Sequence, residues 1–103
     1  MFIARWQIDA RFGQKQTLID KLRQWERDIG RQAGTDKMEV KILTGSIGAR
    51  EATVEINHTV ASLADLERFF ETIGKNAAHK QWGKELEPHV VSGSAVWTIY
   101  RVV

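Results

Sequence analysis

The chain has 103 residues, the size of one domain, and a domain this small buries only roughly 65% of its unfolded surface, so its core is thin. Its apolar fraction of 43% and charged fraction of 27% are those of a globular protein, with one Pro and no low-complexity run, which argues against disorder. A net charge of +2 with interspersed signs offers no basic stripe for nucleic acid, and the absence of Cys excludes disulfides, a thiol nucleophile and thiolate metal sites.

Residues 1–9 alternate: Phe2, Ala4, Trp6 and Ile8 are apolar, whereas Arg5, Gln7 and Asp9 are polar. That period predicts a half-buried strand, punctuated by Phe12-Gly13. Over residues 14–32 the period becomes helical, with Leu18, Leu22, Trp25 and Ile29 on one stripe and Gly34 as the expected stop. Residues 37–43 alternate again through Met38, Val40 and Ile42. The turn-rich Thr44-Gly45-Ser46-Ile47-Gly48 leads to a third strand over residues 51–58, so an antiparallel hairpin is expected.

Ser62-Leu63-Ala64-Asp65 resembles a capping box and opens a helix carrying Leu63, Leu66, Phe70 and Ile73 on its stripe, with Phe69 flanking it. Gly74 is its expected end. Asn76 then caps a shorter helix over residues 76–86, which Pro88 stops. Residues 92–103, rich in Val, Ile, Trp, Thr and Tyr, predict the last strand.

The order β-α-β-β-α-β predicts an α+β, ferredoxin-like single domain over residues 1–103, a four-stranded antiparallel sheet with both crossover helices on one face. The even-numbered side chains of the first three strands suit the covered face. The other face then carries Ile3, Arg5, Gln7, Glu39, Lys41, Leu43, Thr53, Glu55 and Asn57, together with Val96, Thr98, Tyr100 and Val102 from the last strand. Such a face is either simply solvated or packed against a second sheet around a polar pocket.

Two groups of residues are candidates for ligand binding. Arg5, Gln7, Glu55, Asn57 and Tyr100 can converge on the helix-free face: Arg5 as a fork donor, Asn57 and Tyr100 as hydrogen bonders, and Glu55 as a base if burial raises its pKa. The plainer account is a set of cross-strand ion pairs. His79 and Trp82 share one face of the short helix with Leu86, either lining a pocket or anchoring that helix to the core. His58 and His89 read as loop residues. The three His show no metal-ligand spacing, so no metal is expected. Trp25 belongs to a helix stripe, while Trp6 and Trp97 pack beneath the helices or at a dimer seam.

Three stretches carry a resemblance to a known superfamily: the helix end Arg31-Gln32-Ala33-Gly34, the linker Leu43-Thr44-Gly45-Ser46-Ile47-Gly48, and Val54-Glu55-Ile56 running into Ser62-Leu63-Ala64-Asp65-Leu66-Glu67. With them the whole chain resembles the dimeric α+β barrels, in particular NIPSNAP-like proteins and antibiotic-biosynthesis monooxygenases. The resemblance implies a homodimer in which two sheets face each other and enclose a cavity. It also implies a function among several: binding of a small polar or aromatic molecule on the helix-free sheet face, a cofactor-independent monooxygenase-like activity, or a structural interaction module without ligand. Haem-degrading members of the superfamily have an Asn on the first strand. Gln7 stands on that strand here, so their roles are not carried over to His79 and Trp82, and no cofactor is expected. Residues 1–8 include Arg5 and are too short for a secretory segment, and no apolar run spans a bilayer. A cytoplasmic protein without membrane or nucleic-acid partners is the resulting expectation.

Overall fold

The computed structural model describes residues 1–103. Strands β1 (Phe2–Asp9), β2 (Glu39–Thr44), β3 (Thr53–Val60) and β4 (Val96–Arg101) form one antiparallel sheet in the order β2-β3-β1-β4. Helix α1 (Lys15–Trp25) joins β1 to β2, and α2 (Leu63–Gly74) with α3 (Ala77–Leu86) joins β3 to β4. This is the ferredoxin-like arrangement that the element order predicts. In register, Trp6 lies opposite Ile56 of β3 and Trp97 of β4, and Ala4 lies opposite His58 and Ile99.

Period 2 explains which face is covered. Ala4, Ile8, Val54, Ile56 and Val60 point to the helices and are buried with Leu18, Leu22 and Trp25 of α1, Leu66, Phe69 and Ile73 of α2, and Trp82 and Leu86 of α3. Ser62 Oγ accepts the Asp65 N–H and Asn76 Oδ1 accepts the His79 N–H, so both expected caps form.

Several boundaries move, each for a local reason. The first helical segment does not stay α-helical to residue 32. It changes to a π-turn over Glu26–Gly30, where the Arg31 N–H bonds the Glu26 carbonyl, and closes with a 3₁₀ turn at Arg31–Ala33. Gly34, at φ +113°, ends it in the left-handed conformation that a helix stop favours. A further 3₁₀ turn over Thr35–Lys37 delays β2 to Glu39. The hairpin turn, held by Thr53 N–H to the Arg50 carbonyl, delays β3 to Thr53 and extends it to Val60. His58 is therefore not a loop residue at a strand end: it lies inside β3 on the covered face, 1% exposed. The last strand begins at Val96 because the preceding segment turns, with Ser94 N–H bonded to the Val91 carbonyl.

Candidate functional site

The three helices do not close fully over the sheet. Between them and the strands lies a cavity of about 320 Å³. Trp6, Ile56 and His58 form its floor, with Trp97 from the edge strand. Its walls are Leu22 and Trp25 of α1, Phe69, Phe70 and Ile73 of α2, and His79, Trp82, Gly83 and Leu86 of α3. All four tryptophans of the chain line it, and no Lys, Arg, Asp or Glu does.

The aromatic rings support one another. Trp25 meets His58, Phe69 and His79 edge-on at centroid distances of 6.1, 6.2 and 6.1 Å. His79 stacks on Trp82 at 6.2 Å, and Phe70 meets Trp97 at 4.9 Å. Edge-to-face and stacked arrangements of this kind match the quadrupoles of the rings. Two indole N–H groups are tied down: Trp82 donates to the Lys21 carbonyl and Trp25 to His79 Nδ1, both at 3.0 Å. Because His79 Nδ1 accepts, the neutral ring carries its proton on Nε2. Burial pulls the His79 pKa below the ordinary histidine value, which favours that neutral form.

His58 is held differently. Its Nε2 lies 2.7 Å from Glu26 Oε1, and since a carboxylate only accepts, Nε2 donates. His58 Nδ1 has no partner in the chain. Glu26 opens the π-turn, and Gly30 in the same turn gives it room. A Cβ on Gly30 would lie 2.7 Å from Trp25 Cζ3 and 3.1 Å from Glu26 Oε1.

The structure divides the residues expected to bind a ligand between two faces. On the helix-free face Arg5 grips Glu55 with two bonds, Nε to Oε2 at 2.8 Å and Nη2 to Oε1 at 2.9 Å, and Gln7 adds a third at 3.2 Å. Asn57 lies opposite Arg5 in the neighbouring strand, and the Arg5 guanidinium sits 5.3 Å over the Tyr100 ring. These five residues do converge. Burial does not raise the Glu55 pKa: its bonds to Arg5 outweigh burial and hold its carboxyl below the usual carboxylate range. His79 and Trp82 lie across the sheet from this group, in the wall of the aromatic cavity. The aromatic cavity thus lies on the covered face, across the sheet from the group around Arg5. Trp6 and Trp97 also belong to the covered side.

His58 and Glu26 are the residues that sequence reasoning missed. The alternation Val54, Ile56, His58, Val60 carried a signal for the first, because it puts His58 in phase with core residues. His89 accounts for itself locally through a 2.8 Å bond to Gln14 Oε1. No group of three or more His, Asp or Glu side chains is placed to hold a metal ion, and no helix is long and apolar enough to cross a membrane.

No protein-family model matches the chain, and no curated protein matches it. Solved structures do. An uncharacterised NIPSNAP-domain protein from Burkholderia xenovorans superposes with a TM-score of 0.76 at 9% identity, covering 100% of this chain and 95% of that one. A NIPSNAP family protein from Agrobacterium tumefaciens gives 0.73 at 14% identity, covering 99% and 92%. A putative antibiotic biosynthesis monooxygenase from Nitrosomonas europaea gives 0.71 at 13% identity, covering 100% and 99%. Likeness at such low identity speaks to backbone architecture alone, and on that ground the chain has the ferredoxin-like βαββαβ fold that NIPSNAP-domain and antibiotic-biosynthesis-monooxygenase-like proteins share.

Proposed function

We propose that this chain is a homodimeric α+β-barrel protein that binds a small, uncharged aromatic molecule in the cavity beneath its helices. One observation carries the reading: four tryptophans and no formally charged side chain line that cavity. Aromatic walls favour a flat ring by stacking and by removing apolar surface from water. A charged ligand would lose its hydration there without a counter-charge, which costs several kcal/mol. The two imidazoles, His58 and His79, are the titratable side chains of the lining, so an aromatic ring bearing a polar substituent suits the site.

The helix-free face supports the dimer. Leu43, Val96, Tyr100 and Val102 are exposed there, around the half-buried Arg5–Glu55 pair. A second copy packed on that face would cover all four by two-fold symmetry. A cofactor-independent monooxygenase-like activity is the second reading. It is favoured by the two imidazoles in the wall of an aromatic cavity, side chains suited to moving a proton near neutral pH.

Titration with 2-naphthol, followed by tryptophan emission, tests the ligand reading. The expected result is saturable quenching, with naphthalene-2-sulfonate at least roughly tenfold weaker because its charge has no partner. No saturable change with either probe defeats the reading. Sedimentation at micromolar concentration tests the dimer: the wild type is expected to be dimeric and Val96→Asp monomeric, and a monomeric wild type refutes that part.

A further inference from the structure

We infer that Gly83 of α3 sets the size of the ligand: it keeps open the part of the aromatic cavity that takes a second fused ring, so the ligand class is an uncharged bicyclic aromatic. The inference rests on the cavity being the ligand site, and it adds which residue selects what enters.

Gly83 lies inside α3, where no backbone demand explains a glycine. Its φ is not positive, unlike those of Gly13, Gly34, Gly48 and Gly93. It does not stop the helix either, because Glu87 beyond it keeps the right-handed conformation. No neighbour excludes a side chain: a Cβ on Gly83 would meet no atom within 4 Å. Gly30 differs, since a Cβ there would press on Trp25 at 2.7 Å. A glycine inside a helix lowers the folding equilibrium roughly fivefold relative to alanine. Alanine would fit at Gly83 and strengthen α3, so the glycine is a standing loss to the ligand-free fold.

The space left empty by the missing side chain belongs to the cavity. His79, Trp82, Gly83 and Leu86 share one face of α3, and all four line the cavity. Gly83 is the only glycine of the lining. Its neighbour Trp82 is not free to swing into the gap, because the indole N–H is bonded to the Lys21 carbonyl and the side chain is buried. The backbone of α3 is therefore bare to the cavity at this point, and a flat ring can approach it more closely than any side chain would permit.

Volume sets the size of that ring system. The cavity measures about 320 Å³. An apolar cavity of about 150 Å³ takes a single benzene ring, so roughly twice that space suits two fused rings. A leucine at position 83 would fill the part beside α3 and leave room for one ring only.

Titration of the intact chain with phenol and with 2-naphthol tests the selection. The indole N–H signals in ¹⁵N NMR report occupancy, because all four tryptophans line the cavity. The wild type is expected to bind 2-naphthol more tightly than phenol. Gly83→Leu should weaken 2-naphthol at least roughly tenfold, the loss that one methylene too many imposes in an apolar pocket. Phenol should weaken by less than roughly threefold, since room for one ring remains. Gly83→Ala should raise the urea midpoint, because alanine favours the helix and meets nothing. Equal weakening of both probes, or of neither, overturns the inference and leaves the cavity as a binding site. A Gly83→Ala chain less stable than the wild type, or a Gly83→Leu chain that does not fold, also overturns it, because the space would then belong to the ligand-free packing. If neither probe moves an indole signal of the wild type, the ligand reading itself falls and takes the inference with it.

Discussion

Trp25 donates its indole N–H to Nδ1 of His79, linking α1 to α3 across the top of the aromatic cavity. The bond exists only while His79 is neutral, since a protonated ring has no acceptor. Burial lowers the His79 pKa in the folded chain, whereas the unfolded chain takes up its proton near the ordinary value of 6.5. The unfolded state therefore binds more protons just below that value, and stability rises with pH there. The contribution is complete above pH 6.5 and is lost as pH drops through the unfolded value toward the folded one. Urea unfolding as a function of pH should show this slope. His79→Gln, which keeps an acceptor but does not titrate, should flatten it, and an unchanged slope in the variant would assign it to another group.

Gly30→Ala is expected to destabilise the protein by about 1–3 kcal/mol, the usual cost of overpacking. The new methyl group would sit 2.7 Å from Trp25 Cζ3 and 3.0 Å from Thr35 Oγ1, both in well-buried side chains. A urea midpoint equal to that of the wild type would mean that the indole yields freely.

Glu55→Gln should cost about 1–3 kcal/mol near neutral pH, because three charge-assisted bonds lose their carboxylate. The folded Glu55 pKa lies below the unfolded value of 4.5. Its stabilisation is fully present above that value and lost as pH falls through the folded one. The difference between wild type and variant should accordingly shrink in acid. A difference that persists at low pH would show that packing, not charge, holds the face together.

Ser62→Ala and Asn76→Ala each remove a side-chain cap that accepts a backbone N–H, and each should cost about 1 kcal/mol in thermal or urea unfolding. Asn76→Ala should also weaken naphthol binding, since the N–H it caps belongs to His79. Unaltered binding with lowered stability would show that the position of His79 is fixed by Trp25 alone.

The fold was legible because its signals are local. The alternation of β1, the leucine and tryptophan stripe of α1, the Ser62 and Asn76 caps and the Gly34 stop each reflect a few neighbouring residues. The site was less legible because it depends on distant pairs. Arg5 and Glu55 are 50 residues apart, yet their meeting followed from antiparallel pairing of alternating strands. His58 and Glu26 are 32 apart, and their bond joins the end of α1 to β3, a meeting that no spacing announces. A strand end placed two residues early was enough to make His58 look like a loop residue. The tryptophans were each assignable to an apolar stripe, but their gathering around one space needed the way three helices splay over the sheet.

The π-turn has a consequence for how such a site arises and disappears. A π-turn holds one residue more than the α-turn it replaces, so the register of everything beyond it is offset by roughly 100°. Deleting a single residue between Glu26 and Gly30 would restore a continuous helix and rotate the stretch ending at Gly34 by that angle. The surface cleft that Glu26 lines with Arg31 is thus tied to a reading-length change in the gene: one codon lost would leave Glu26 in the frame of α1 and turn Arg31 away from it, where a series of point substitutions would have to rebuild the same turn piece by piece.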